Sequence, residues 1–182
     1  MVEVEVFDVV KEEKSNGHVV LLNDKAGRVL PIFVGAQEAV AIAAGVRRTP
    51  FPRPMTHDLV CSILEAVNIK LLSVDISSLR QATYYSTIRI DLADSGKTVD
   101  ARPSDAVALA VRLKVPIRVD DEVMNTAAVR APEVAQSAQG MVAMLKYVNE
   151  RLKQVASERG WNVPDLLMDP KEAQVRSLLS DS

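Results

Sequence analysis

Two short segments of the 182-residue chain hold the side chains best suited to chemistry. The first is Arg53-Pro54-Met55-Thr56-His57-Asp58 and the second is Asp100-Ala101-Arg102-Pro103-Ser104-Asp105. Each sets an Arg-Pro pair ahead of a hydroxyl residue and an aspartate. Cleavage of a phosphodiester needs an activated nucleophile, charge stabilisation on the phosphate and a proton for the leaving oxygen. His57 is the residue type that exchanges a proton near neutral pH. Asp58, Asp100 and Asp105 offer carboxylates for a base, or for a divalent cation such as Mg or Mn. Arg53 and Arg102 offer planar guanidinium groups that grip phosphate in bidentate fashion. Arg47 and Arg48, with Arg53, place three cations in seven residues around Phe51, a patch that suits a phosphate backbone with a base stacked on the ring. No P-loop, GxGxxG or recognised metal-binding spacing accompanies them.

The same two segments read as helix starts. Thr56 and Ser104 are placed to cap orphan amides, and Asp58 and Asp105 in a first turn meet the positive end of the helix dipole. Capping accounts for neither the arginines nor His57. Those residues and the clustered aspartates are therefore the functional candidates, although His57 also shares a helical side with Val60 and Leu64, which suits a packed residue.

The elements that must position them follow from periodicity. Residues 2–10 alternate as a half-buried strand until Phe7 breaks the period, which predicts a bulge or a change of face. The Asn16-Gly17 turn leads to a strand at 18–22, with His18 read as a solvated turn residue, and Lys25-Ala26-Gly27 leads to another at 28–34. Pro31 lacks a backbone donor, so that strand is at an edge or bulged there. A helix over 37–48 ends in Arg47-Arg48, and the three prolines at 50, 52 and 54 forbid helix between it and the next, which starts at Thr56. Strands at 69–77, 84–92, near Val99 and at 116–119 follow, with a helix from Pro103 and a short one from Asp120. Hairpin-linked strands mixed with helices predict an α+β domain over 1–129, a mixed and largely antiparallel sheet with helices packed on it.

Residues 130–182 read as a helical C-terminal extension. Val134, Ala138, Met141, Leu145, Val148, Leu152 and Val155 form a heptad stripe. It suits a helix docked on its own domain, or a pairing surface at 132–159 for a second subunit or protein partner. Gly160 stops it, Trp161 and Leu166-Leu167-Met168 are placed to fold back as an apolar latch, and 170–182 reads as a short helix or a frayed end.

Composition bounds the setting. Apolar residues at 48% give a real core, and aromatics at 4% leave Val, Leu, Ile and Ala to build it. The single Cys61 excludes a disulfide framework, reads as buried filler and fits a reducing cytoplasm. The N-terminus reads as a strand from the start rather than a signal peptide, and no apolar run approaches membrane-helix length. A net charge of -2 confines any nucleic-acid site to a local patch.

Gly27-Arg28-Val29-Leu30-Pro31-Ile32 with Val34-Gly35 and Glu38-Ala39, the segment Arg53 to Leu59, and the segment Asp100 to Ala110 resemble the successive signatures of the bifunctional nuclease domain. The resemblance covers about residues 1–129 and implies a bacterial-type nuclease that hydrolyses phosphodiester bonds in DNA and RNA. It also implies a compact α+β fold that self-associates, with a dimer expected, and a C-terminal extension of the kind that recruits partners. The alternative is a non-catalytic, self-associating module that binds a ligand or protein partner, in which the Arg/Asp junctions lock an interface or hold an anion.

Overall fold

The computed structural model describes residues 1–12, 17–92, 95–130, 143, 150, 154, 157, 158 and 175–177. The heptad stripe and the Trp161 latch lie outside the described residues. Along the chain run strands β1 (Val2–Glu12), β2 (His18–Asp24) and β3 (Arg28–Val34), then helices α1 (Ala36–Arg47) and α2 (Thr56–Ala66). Strands β4 (Lys70–Arg80), β5 (Thr83–Leu92) and β6 (Ser95–Ala101) precede α3 (Pro103–Leu113). Strand β7 (Ile117–Val119), helix α4 (Asp121–Ala127), and strands β8 (Val129–Arg130) and β9 (Val175–Ser177) complete the order.

One nine-stranded sheet runs β6-β5-β4-β7-β1-β2-β3-β8, with β9 added on β1. The pair β4–β7 is parallel and the other described pairs are antiparallel. The fold is α+β, as the hairpin pattern implied. The register of β1 on β2 shifts between Val6 and Asp8, so Phe7 is the bulge residue and turns outward. Strand β8 covers β3 only at Arg28 and Val29, so Pro31 lies where β3 is an edge. Asp24 locks the β2–β3 turn by accepting from the amides of Ala26 and Arg28 and from Arg28 Nε.

The main core lies between this sheet and the helices, with Val9, Val20, Leu22, Leu30, Ile32, Ile42, Ile76 and Val107 among its members. Each such side chain contributes roughly 1.5–3 kcal/mol. Helix α1 presents Ala39, Ala41, Ala43, Ala44 and Gly45 as buried residues, and α3 presents Ala106, Ala108 and Ala110. Small residues on both sides let the two helices approach closely. At Gly45 the approach is tightest: a Cβ there would stand 2.6 Å from Val111 Cγ2 and 2.7 Å from Arg112 Nη1.

Several local expectations change. His18 is not a solvated turn residue but the first residue of β2, buried and paired between Lys11 and Val34. Residues 175–177 are neither helix nor frayed end but a strand, held by pairing with Val10–Glu12. Cys61 is only partly buried, and burial is the main reason its thiol is pushed up. Thr56 and Ser104 are not the caps. The extended residues before these helices are Met55 and Arg102, which leaves Thr56 at the first helical position and Ser104 at the second, behind Pro103.

Candidate active site

The starts of α2 and α3 meet. His57, in the first turn of α2, has its Nε2 3.2 Å from Oδ1 of Asp105, in the first turn of α3. Asp105 also accepts from Arg102, at 2.8 Å from Nε and 3.2 Å from Nη2. Arg102 reaches further and ion-pairs with Glu38 Oε1 at 3.0 Å, in the first turn of α1. Three helix starts are thus joined by the chain Glu38–Arg102–Asp105–His57. Side-chain exposure peaks within it, from 14% for His57 through 33% for Asp105 to 67% for Arg102, then 22% for Glu38. Burial alone would push the Asp105 carboxyl up, but the hydrogen bonds from Arg102 and His57 outweigh it and hold the group below its ordinary range. Asp105 is therefore an anion at neutral pH and orients the imidazole beside it.

Asp58 is the next residue along α2 and belongs to a different structure. Its Oδ1 accepts from Arg112 Nε at 2.6 Å, and its Oδ2 accepts from the Met55 amide at 2.8 Å. The second bond closes the open end of α2 that no hydroxyl caps. Arg112 is only 10% exposed and donates through Nη1 to the carbonyls of Ala41 and Ala108, each at 2.9 Å. One guanidinium therefore staples α1, α2 and α3 together in the space that Gly45 leaves open. The Arg112 hydrogen bond is the leading reason the Asp58 carboxyl lies below its ordinary range.

The remaining candidates disperse. Asp100 is exposed on β6, opposite Thr87, and its carboxylate has no partner among the described residues. Arg47 and Arg48 are exposed at the far end of α1 from Glu38, about 14–15 Å along the axis at 1.5 Å rise per residue. Arg48 takes the left-handed conformation that ends the helix. Arg53 and Phe51 are exposed in the Pro-rich loop between α1 and α2. The expected carboxylate cluster does not assemble: among the described residues no group of three or more His, Cys, Asp or Glu side chains is placed to hold a metal ion. Asp58 and Asp105 spend their oxygens on Arg112, Met55, Arg102 and His57, so these residues do not fit a shared cation. The site is an open surface. A cleft of about 450 Å³ between β1 and the end of α3 is lined by Glu3, Lys114 and Val111 among others, and by neither His57 nor Asp105.

Two members of the site were not among the candidates for chemistry, although Glu38 lies within the family signature. Glu38 sits four residues before Ile42 in an apolar helix and looks like a first-turn acid. Arg112 looks like a last-turn base. The one available signal was Gly45, an isolated glycine inside a helical pattern, which marks a close approach by something.

The sequence profile of the bifunctional nuclease domain matches residues 19–132, a span that contains every residue of both networks. An uncharacterized protein of Mycobacterium tuberculosis (strain H37Rv) is 39% identical over 134 residues, which cover 73% of this chain and 80% of that protein. Bifunctional nuclease 2 of rice (Oryza sativa subsp. japonica) is 28% identical over 123 residues, 66% of this chain and 38% of its own length. Bifunctional nuclease 1 of Arabidopsis thaliana is 27% identical over 105 residues, 56% of this chain and 32% of its own length. The similarity to the plant proteins therefore spans only about a third of them.

Proposed function

Because this chain belongs to the bifunctional nuclease domain family, we propose that it hydrolyses phosphodiester bonds in DNA and RNA, with His57 as its general acid–base. The observation that carries this reading is the His57–Asp105 contact, which joins two helices. A proton on Nε2 shared with the carboxylate leaves Nδ1 as an acceptor, and Nδ1 has no partner among the described residues. Nδ1 takes a proton from water as the water oxygen attacks phosphorus. The phosphorus–oxygen bond to the leaving nucleoside breaks, and the proton is returned to that oxygen. Arg102 keeps N–H groups beyond those held by Asp105 and Glu38, and it is exposed, so it can take a non-bridging phosphate oxygen. Arg47, Arg48 and Arg53, with Phe51, guide the flanking strand from the other side of α1. No step is routed through a cation, since the carboxylates do not gather for one.

Water as nucleophile explains action on both polymers, because it does not need the ribose 2′-hydroxyl. The test is cleavage of defined DNA and RNA oligonucleotides in ¹⁸O-labelled water. The expected result is label in the new terminal phosphate of both products. A 2′,3′-cyclic phosphate from RNA, with DNA left intact, contradicts it.

A second, non-catalytic reading rests on α2. None of its residues is fully buried, and Leu59, Ile63 and Val67 form an exposed apolar row at four-residue spacing. A self-associating module would bury that row. Light scattering of wild type against Ile63→Lys tests it, with a fall in mass supporting the reading and an unchanged mass opposing it.

A further inference from the structure

The sheet has a second apolar face that the described helices leave bare. Strand β2 is buried almost throughout, although alternation sends only every second side chain to one face. Val20 and Leu22 join the main core, where α1, α3 and α4 also place their buried residues. Val19 and Leu21 point the other way. Around them, by strand register, lie Val10 on β1, Val29 and Pro31 on β3, and Val129 on β8. Val10, Val19, Leu21, Val29 and Val129 belong to no part of the main core, yet each is at most 4% exposed. This burial is found in a single chain, so the cover comes from the same chain.

The connections say which segment. Strand β8 lies at one side of this patch and β9 at the other, on the β7 side of β1. Register makes β8 and β9 parallel to each other and to β7, so the chain leaves Arg130 and re-enters the sheet at Val175 on a parallel strand. Crossovers between parallel strands are right-handed in nearly all proteins. The connection β6–α3–β7 is also a parallel crossover, and it moves across the sheet in the opposite direction with α3 on the core face. Both can be right-handed only if 131–174 crosses the other face. The sequence adds the chemistry: 134–155 carries the heptad stripe. Ala143, Glu150 and Ser157, spaced by seven, are helical and exposed, at the heptad position opposite that stripe.

We propose that the face formed by Val10, Val19, Leu21, Val29, Pro31 and Val129 is the docking surface for the chain's own segment 134–155. The stripe is then occupied within one chain. What a protein partner can reach is the polar side, including Glu150, Gln154 and Glu158.

The test uses the full-length protein. Leu145→Asp and Leu152→Asp are compared with the outward-facing control Ser157→Lys by thermal melts at two concentrations tenfold apart, with light scattering alongside. Docking within the chain predicts that both aspartate variants lose ~5–10 °C at either concentration with unchanged mass, and that the control stays within about 1 °C. Should an aspartate variant not fold, Leu145→Ala is expected to lose ~5 °C in the same way. Unchanged melts overturn the proposal in favour of a free stripe. A concentration-dependent shift with loss of half the mass overturns it in favour of a second copy.

Discussion

At the start of α2 the aspartate is tied to a nine-tenths-buried arginine from another helix, whereas at the start of α3 it is tied to an exposed arginine three residues before it. Asp58 ignores its own Arg53 and takes Arg112. Asp105 keeps its own Arg102 and adds His57. The residue types are the same, yet one junction becomes a staple and the other an exposed surface, where the proposed chemistry is placed. The difference comes from the neighbouring helix. Gly45 opens room for a guanidinium beside α2, where its charge must be answered internally. Arg102 instead lies two-thirds exposed, in water, with N–H groups to spare. An Arg-Pro-hydroxyl-Asp pattern therefore sets a helix start, and packing decides whether its aspartate is tied to a buried arginine or stays at the surface.

If the staple is structural, breaking it costs the most stability. Asp58→Ala leaves Arg112 buried with the Ala41 and Ala108 carbonyls and the weak acceptor Met55 Sδ, and no anion. We expect a loss of roughly 2–3 kcal/mol by chemical denaturation, below the ~3–5 kcal/mol typical of a fully buried pair because Asp58 itself is 38% exposed. Gly45→Ala attacks the same staple by crowding Val111 and Arg112 and is expected to cost about 1–3 kcal/mol in the same assay. Acid should follow. The folded-state pKa of Asp58 lies below its ordinary 3.8, so the pair stabilises fully above that value and is lost as pH falls through the lower one. Unfolding free energy should therefore drop below about pH 4 in wild type, and the drop should be shallower in Asp58→Ala. The other junction should respond least. Arg102→Gln removes an exposed pair, and its denaturation midpoint should shift by less than ~1 kcal/mol, while cleavage weakens through KM.

Much of the fold was legible in the sequence because its signals are local. The Phe7 bulge, the edge at Pro31 and the proline-bounded start of α2 each follow from a residue and its neighbours. The site was legible only in parts. His57, Asp105 and Arg102 were singled out by type, but their pairing spans 48 positions between His57 and Asp105 and is created by the α2–α3 contact. Asp58 was read with them because it adjoins His57, although adjacent helical residues face different neighbours. Arg112 and Glu38 stayed hidden because a base in a last turn and an acid in a first turn are what any helix carries. Thr56 was expected to cap, but Met55 precedes it in extended conformation and Asp58 takes the amide instead.

The division between staple and reactive surface is tested most directly by single-turnover cleavage of an end-labelled single-stranded oligonucleotide. His57→Ala and Asp58→Asn are compared with wild type at equal concentrations of folded protein. The rate with His57→Ala should fall by about 10²–10⁴-fold, and the rate with Asp58→Asn should stay within about threefold of wild type. Wild-type turnover by His57→Ala, or an equal loss in both variants, contradicts the assignment.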